Sequence, residues 1–333
     1  MNNINTEKSR KKRTPNYTEA SMCEIQKLFE DFINECKFSD RLRAATVNGY
    51  IKVFETFIRI MPEITEPAYI SVSTITTFFQ RLQTRERLVG KEFKVTGIRN
   101  STARGYCNRL NAFFKWLEKN NKIEQNPFVK IEMPKATYED RRSLNRDDIE
   151  RIIAAIAIHT SSSLILKRDM LIIHILLLCG IRKGELRAIQ VQDIDFDKRM
   201  LAIRGKTSKS KFTRYIPINP TLLMYLKDYL RERKKRKYTT PYLLVSHNGD
   251  RALSEYGLKH WIQKLVQRSK VKFHLHQFRH TFACNLANMN VGAVKIQKLM
   301  GHTDIRMTMT YLRSMTAEDL RGEIDNLSID NFM

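Results

Sequence analysis

With 333 residues the chain exceeds the roughly 100–200 that one hydrophobic core usually organises, so two domains are expected. Its 59 lysines and arginines against 35 carboxylates leave a formal net charge of +24, which points to a phosphate-rich polymer as partner, nucleic acid before membrane lipid. The longest apolar run, 170–179 with His174 inside it, falls well short of the roughly 20 residues of a membrane span, the basic amino terminus lacks the apolar stretch of a secretory signal, and five cysteines without CxxC spacing argue against disulfides and zinc.

Residues 1–20 are polar, and five basic side chains within 8–13 mark a flexible arm suited to a phosphate backbone or simply to water. Residues 21–132 follow a helical period. "IQKLFEDFINECKF" puts Ile25, Leu28, Phe29, Phe32 and Ile33 on one face, and "TVNGYIKVFETFIRIM" and "STARGYCNRLNAFFKWLEK" repeat the pattern. The last two also echo each other, Thr46, Gly49, Tyr50 and Phe57 matching Thr102, Gly105, Tyr106 and Phe113 at one offset. Around these helices Arg41, Arg43, Lys52, Arg99, Arg104, Arg109 and Lys115 are candidate DNA contacts, weighed against the solvated faces of an ordinary bundle.

Pro127 and Pro134 then break the pattern, and Asn145 with Asp147 and Asp148 restarts a helix, so 133–143 reads as a linker. Beyond it, 149–159 and 168–179 read as helices, the second ended by Gly180. Leu201 and Ile203, then Tyr215 and Pro217 alternating with Ile216 and Ile218, predict one small antiparallel sheet. Helices resume at 222–231 and 256–268, and "RERKKRK" (231–237) reads as a solvated helix end. The fold class is therefore mainly α: a helical bundle followed by a mostly helical domain with a small antiparallel sheet.

Several polar residues sit where packing alone does not want them. Arg182 follows an apolar helix, and Glu185, three residues on, is placed to orient it near the interior. His276 and Arg279 share the same spacing opposite the stripe of Phe278, Phe282 and Leu286, which predicts that both point out of the core. His302 follows Gly301 near a helix start, and Tyr311 stands nine positions later.

Taken in order, "GIRKGELRAI", "RGKTSK", "HQFR", "GHTD" and "TMTYL" resemble the tyrosine recombinases, the phage integrase family, and the compact, Xer-like plan within it. The likeness is dense from about residue 146 to 320 and loose before that. By position it implies a catalytic set of Arg182, Lys206, His276, Arg279 and His302, with Glu185 supporting and Tyr311 as nucleophile, in a catalytic domain at 144–315 behind a core-binding domain at 21–132. It also implies double-stranded target DNA as partner, a homotetramer on two duplexes joined through a four-way junction, an accessory recombinase or DNA-bending protein, a cytoplasmic site of action, and no cofactor, ATP or metal.

The chemistry asks for such a set. Attack on a phosphodiester builds charge on nonbridging oxygens, which two arginines grip bidentately. The phenol of Tyr311 must lose its proton, for which His276 is the candidate base, and Lys206 is the candidate acid for the leaving 5′ oxygen, although Lys209 and Lys211 lie close by in sequence. A neutral His302 suffices to donate a hydrogen bond to the phosphate. The acidic tail, 316–333, carries an apolar stripe of Leu320, Ile324 and Leu327 that suits docking on a neighbouring protomer or on its own domain. Among the alternatives, a type IB topoisomerase shares the attack chemistry, and a noncatalytic DNA-binding regulator needs neither Lys206 nor Tyr311. Metal binding by His274, His276 and His280 is disfavoured by the arginine among them.

Overall fold

A computed structural model describes residues 22–38, 42–89, 93–132, 143–207 and 212–312. The basic arm, Arg41, all but the last residue of the linker, Lys209, Lys211 and the acidic tail lie outside the described residues. The chain divides into two compact units, Met1–Glu139 and Asp140–Met333.

In the first unit the sequence's apolar stripes become α1 (Glu24–Phe38), α2 (Ala44–Ile60), α3 (Val72–Thr84) and α4 (Asn100–Lys119). Ile25, Leu28, Phe29, Phe32 and Ile33 are all buried, as their spacing requires. Their core is aromatic: Phe29 stacks on Phe54 at 3.8 Å and meets Phe113 edge-on at 5.1 Å, pairings worth about 0.5–1.5 kcal/mol each beyond area burial. Ser71 caps α3 by accepting the Thr74 amide. The echo between α2 and α4 has a physical reason in its glycines. The Arg109 guanidinium lies where a Cβ on Gly49 would be 2.9 Å from Nε and one on Gly105 would be 3.1 Å from Nη1.

One expectation for this unit fails. The stretch between α3 and α4 is an antiparallel hairpin, β1 (Glu86–Val89) and β2 (Phe93–Thr96), and no helix. Leu88 and Val95 are exposed on it, so no in-and-out alternation of core positions marked it among strongly periodic helices.

The second unit is built round α6 (Ser163–Cys179), whose Leu171, Ile172, Ile173, Ile175 and Leu176 are buried on all sides. α5 (Arg146–His159) starts at the expected cap, Asn145 accepting the Asp148 amide at 2.7 Å. After α7 (Lys183–Ala188) come the strands β3 (Ile194–Asp195), β4 (Met200–Ile203) and β5 (Arg214–Pro217) in that order, antiparallel, with Leu201 opposite Ile216. Ile216 and Ile218 are buried and Tyr215 is exposed, the alternation read from the sequence. α8 (Pro220–Lys235) packs on α6, and α9 (Glu255–Ser269) packs on α5. A second small sheet, β6 (Val245–Ser246) with β7 (Gly249–Ala252), went unpredicted because its strands are too short to show alternation. The unit ends in α10 (Leu275–Asn288), α11 (Ala293–Met300) and α12 (Ile305–Leu312).

The basic run 231–237 is also not wholly solvated. Arg233 turns inward and donates to the carbonyls of Thr240, Tyr242 and Leu243, tying the α8 terminus to the next segment. Among the described residues no helix is long and apolar enough to cross a membrane.

Gly180 fixes the turn that leads into the site. Its φ is +56°, and a Cβ there would fall 2.1 Å from Phe282 Cδ1 on α10. Gly180→Ala is therefore expected to destabilise the protein by about 2–4 kcal/mol through backbone strain and overpacking, seen as a lower urea midpoint at unchanged slope.

Candidate active site

The turn at Gly180 delivers Arg182 to the start of α7, where one carboxylate organises two guanidiniums. Glu185, 2 % exposed, accepts the Arg182 amide at 3.0 Å and its Nη1 at 3.0 Å. From β5, Arg214 closes a fork on the same group, Nη1 to Oε1 at 3.1 Å and Nη2 to Oε2 at 2.7 Å. Burial pushes the Glu185 carboxyl up, but the hydrogen bond and charge of Arg214, followed by the Arg182 amide and charge, bring it down to about 2. Arg214 also donates Nε to the Leu299 carbonyl at 2.9 Å and passes so close to Gly301 that a Cβ there would lie 2.9 Å from its Cδ and Nη1. The glycine of the "GH" motif, at φ +63°, thus makes room for this arginine. The expected i,i+3 partnership of Arg182 and Glu185 is present; the part of Arg214 was hidden, because it stood among several cations of one hairpin.

This arrangement has a pH consequence. A carboxylate whose folded value lies below its ordinary 4.5 stabilises the fold above pH 4.5 and loses that stabilisation as pH falls towards 2. The span corresponds to about 3 kcal/mol, an order of magnitude only. Glu185→Gln should be less stable than the wild type at neutral pH, and urea midpoints should converge between about pH 6 and about pH 3. A constant gap would contradict the assignment.

Opposite this pair stands Arg279 of α10, and its place corrects the sequence reading. It is 1 % exposed, whereas His276, one turn earlier, is exposed. The two do not point out of the core together, because α10 has no free face at Arg279: α6 covers one side and α11 and α12 another. Arg279 donates Nη1 to the Gly180 carbonyl at 2.6 Å and Nη2 to the Met300 carbonyl at 2.7 Å; the same Nη2 lies 2.7 Å from His302 Nε2. Its Nε finds no acceptor among the described residues. Burial, then repulsion from Arg182, lowers the guanidinium to about 10, so it stays charged at neutral pH.

Arg182 converges on the same turn, donating Nη2 to the Gly301 carbonyl at 3.1 Å. His302, 7 % exposed, is held neutral: burial first, then the charges of Arg279, Arg182 and Arg214, lower it to about 3. Its Nδ1 lies 2.9 Å from Thr308 Oγ1. Tyr311 on α12 is 8 % exposed, its ring 5.8 Å from that of His302 and nearly parallel at 8°, and 5.1 Å from that of His280. Beside these groups a cleft of about 490 Å³ is lined by Arg182, His276, Gly301, Thr303 and Met307.

The structure therefore gathers Arg182, Glu185, Arg279, His302 and Tyr311, with the exposed His276 in the lining of the cleft beside them. Lys206 is exposed in the short turn Gly205–Thr207 against α7, and no hydrogen bond or ion pair among the described residues joins it to the arginines. In the first unit Arg43 and Arg99 precede α2 and α4 as N-caps, and Lys52, Arg104, Arg109 and Lys115 are exposed along them. Among the described residues no group of three or more His, Cys, Asp or Glu is placed to hold a metal.

A family model, "Phage integrase family", matches residues 142–318, more than half of the chain and every residue of this cluster. The chain belongs to the phage integrase family. Tyrosine recombinase XerD of Listeria monocytogenes is 27 % identical over 293 residues, covering 85 % of this chain and 93 % of the relative. Tyrosine recombinase XerC of Oceanobacillus iheyensis is 25 % identical over 312 residues, covering 90 % and 95 %. Among solved structures, the XerH recombinase in its post-cleavage complex with a palindromic difH substrate aligns with a TM-score of 0.69 at 16 % identity, over 91 % of this chain and 90 % of that one. The Tn1549 transposon integrase with transposon right-end DNA aligns with a TM-score of 0.69 at 20 % identity, over 92 % and 99 %. At these identities the two structures speak for the fold.

Proposed function

We propose that this phage integrase family member is a site-specific DNA recombinase that cuts and rejoins strands through a 3′-phosphotyrosyl intermediate on Tyr311. The observation that carries the reading is the convergence of Arg182, Arg279 and His302 on the Met300–Gly301 turn next to the Tyr311 ring. A scissile phosphate that enters the cleft at Arg182 and takes over hydrogen bonds of Arg279 draws on two guanidiniums and a neutral imidazole, whose N–H groups stabilise oxygens whose charge grows during attack. The free N–H on Arg279 Nε is a further donor, of a kind that costs about 1–3 kcal/mol when buried without a partner. Glu185 keeps Arg182 in place without touching substrate. His276 takes the phenol proton as the tyrosine attacks, and the 5′ oxygen leaves with a proton from Lys206, whose turn must close on the cleft once DNA is bound. The ester preserves the bond energy, so a second 5′ hydroxyl reverses the step on another strand.

The partner is double-stranded DNA, held also by the exposed cations of α2 and α4 in a core-binding domain at 21–132, with catalysis in 144–315. Exchange between two duplexes takes four protomers, and the acidic tail supplies contacts between them; the protein acts in the cytoplasm, with an accessory recombinase or DNA-bending protein where the site requires one. The test begins with a pool of nicked duplexes of randomised sequence, from which covalent adducts are recovered and sequenced. Two copies of the selected site are then placed on one plasmid. Excision or inversion between the copies is the expected result. Relaxation of any supercoiled plasmid, without exchange, would identify a topoisomerase instead.

A further inference from the structure

Thr308 takes no part in the chemistry above, yet it is fully buried against the ring that chemistry depends on. A guanidinium has only donors, so Arg279 Nη2 at 2.7 Å requires His302 Nε2 to be a bare acceptor. A neutral ring then carries its one proton on Nδ1, and the Thr308 hydroxyl 2.9 Å away accepts it. To donate to a phosphate oxygen, the same ring must carry that proton on Nε2. A hydroxyl is suited to both states, because it accepts from Nδ1–H or donates to a bare Nδ1 after rotation about a single bond. Thr308 sits one helical turn before Tyr311 on α12, so the hydroxyl also ties the histidine to the helix of the nucleophile.

We propose that Thr308 is a positioning residue that serves both tautomers of His302, holding the proton on Nδ1 in the free protein and supporting Nε2–H once a phosphate takes over Arg279. The ring carries one proton in each state: Nε2 takes a proton from solvent and Nδ1 releases one to solvent, so the count is unchanged. The inference rests on the recombinase reading only for the second state; the first belongs to the free protein.

Two variants and one spectroscopic signature test it. Thr308→Val keeps the shape and removes the hydroxyl, and Thr308→Ser restores it. On the nicked duplex selected above, Thr308→Val is expected to form adduct about 10- to 100-fold more slowly at saturating DNA, with the half-saturating concentration within about threefold of wild type, and Thr308→Ser is expected to recover to within about threefold. Ring ¹⁵N shifts of histidine-labelled free protein, assigned with His302→Gln, should show His302 protonated on Nδ1 in the wild type and a changed tautomer ratio in Thr308→Val. Nε2–H in the free wild type, or a Thr308→Val rate equal to wild type while the wild type forms adduct, would overturn the proposal. If the wild type forms no adduct on any duplex of the pool, the recombinase reading fails, and the shifts of the free protein still decide the first state.

Discussion

Tyr311→Phe is expected to bind the selected duplex as tightly as the wild type and to form no covalent adduct, a loss of at least about 10⁴-fold. The change removes one oxygen. The ring that stacks beside His302, meets His280 at a tilt and packs near Phe282, Ile296 and Met300 is retained, so the fold and the other phosphate donors stay in place. Adduct resistant to denaturant on a nicked duplex measures the covalent step, and gel shift measures binding. A variant that fails in both has lost its fold, which thermal unfolding detects. A variant that still joins to DNA would remove the nucleophile from the account.

The second large effect is expected at Arg279. Arg279→Ala strands the Gly180 and Met300 carbonyls and His302 Nε2 in a buried site, so instability would cloud its kinetics. Arg279→Lys keeps the charge but loses the planar fork, which alone reaches both carbonyls. Adduct formation at saturating DNA should fall about 10²–10³-fold, the usual consequence of removing a donor aimed at developing negative charge. DNA affinity should change little, because one cation is retained among many. Rates within about threefold of wild type would show that the guanidinium is structural only.

Much of the site was legible because its residues break rules that packing obeys. A charged arginine directly after an apolar helix and its glycine stop, and a histidine after a glycine at a turn, stand out from the surrounding period, and the structure brings Arg182 and His302 together across more than a hundred residues. The core stripes of α1 and the alternation around Ile216 were legible for the complementary reason, that local burial follows local period. Arg279 was misread because a helical wheel records one helix and not the layers packed on it; its polar side faces α11 and α12 rather than water. Arg214 and Thr308 escaped notice because their partners, Glu185, Leu299 and His302, are set by tertiary folding rather than spacing, apart from the i,i+6 step from His302 to Thr308 that no helix face announces. The hairpin at β1 and β2 leaves Leu88 and Val95 exposed, so these positions offered no alternation to read.

The most direct measurement traps the wild-type protein on the nicked duplex, digests the complex with protease and nuclease, and maps the modified peptide by mass spectrometry. A nucleotide joined through its 3′ phosphate to Tyr311 is the predicted product. A nucleotide on any other side chain, or one joined through a 5′ phosphate, would contradict the central claim that the arginines at the start of α7 and on α10, with the neutral His302, serve attack by this phenol.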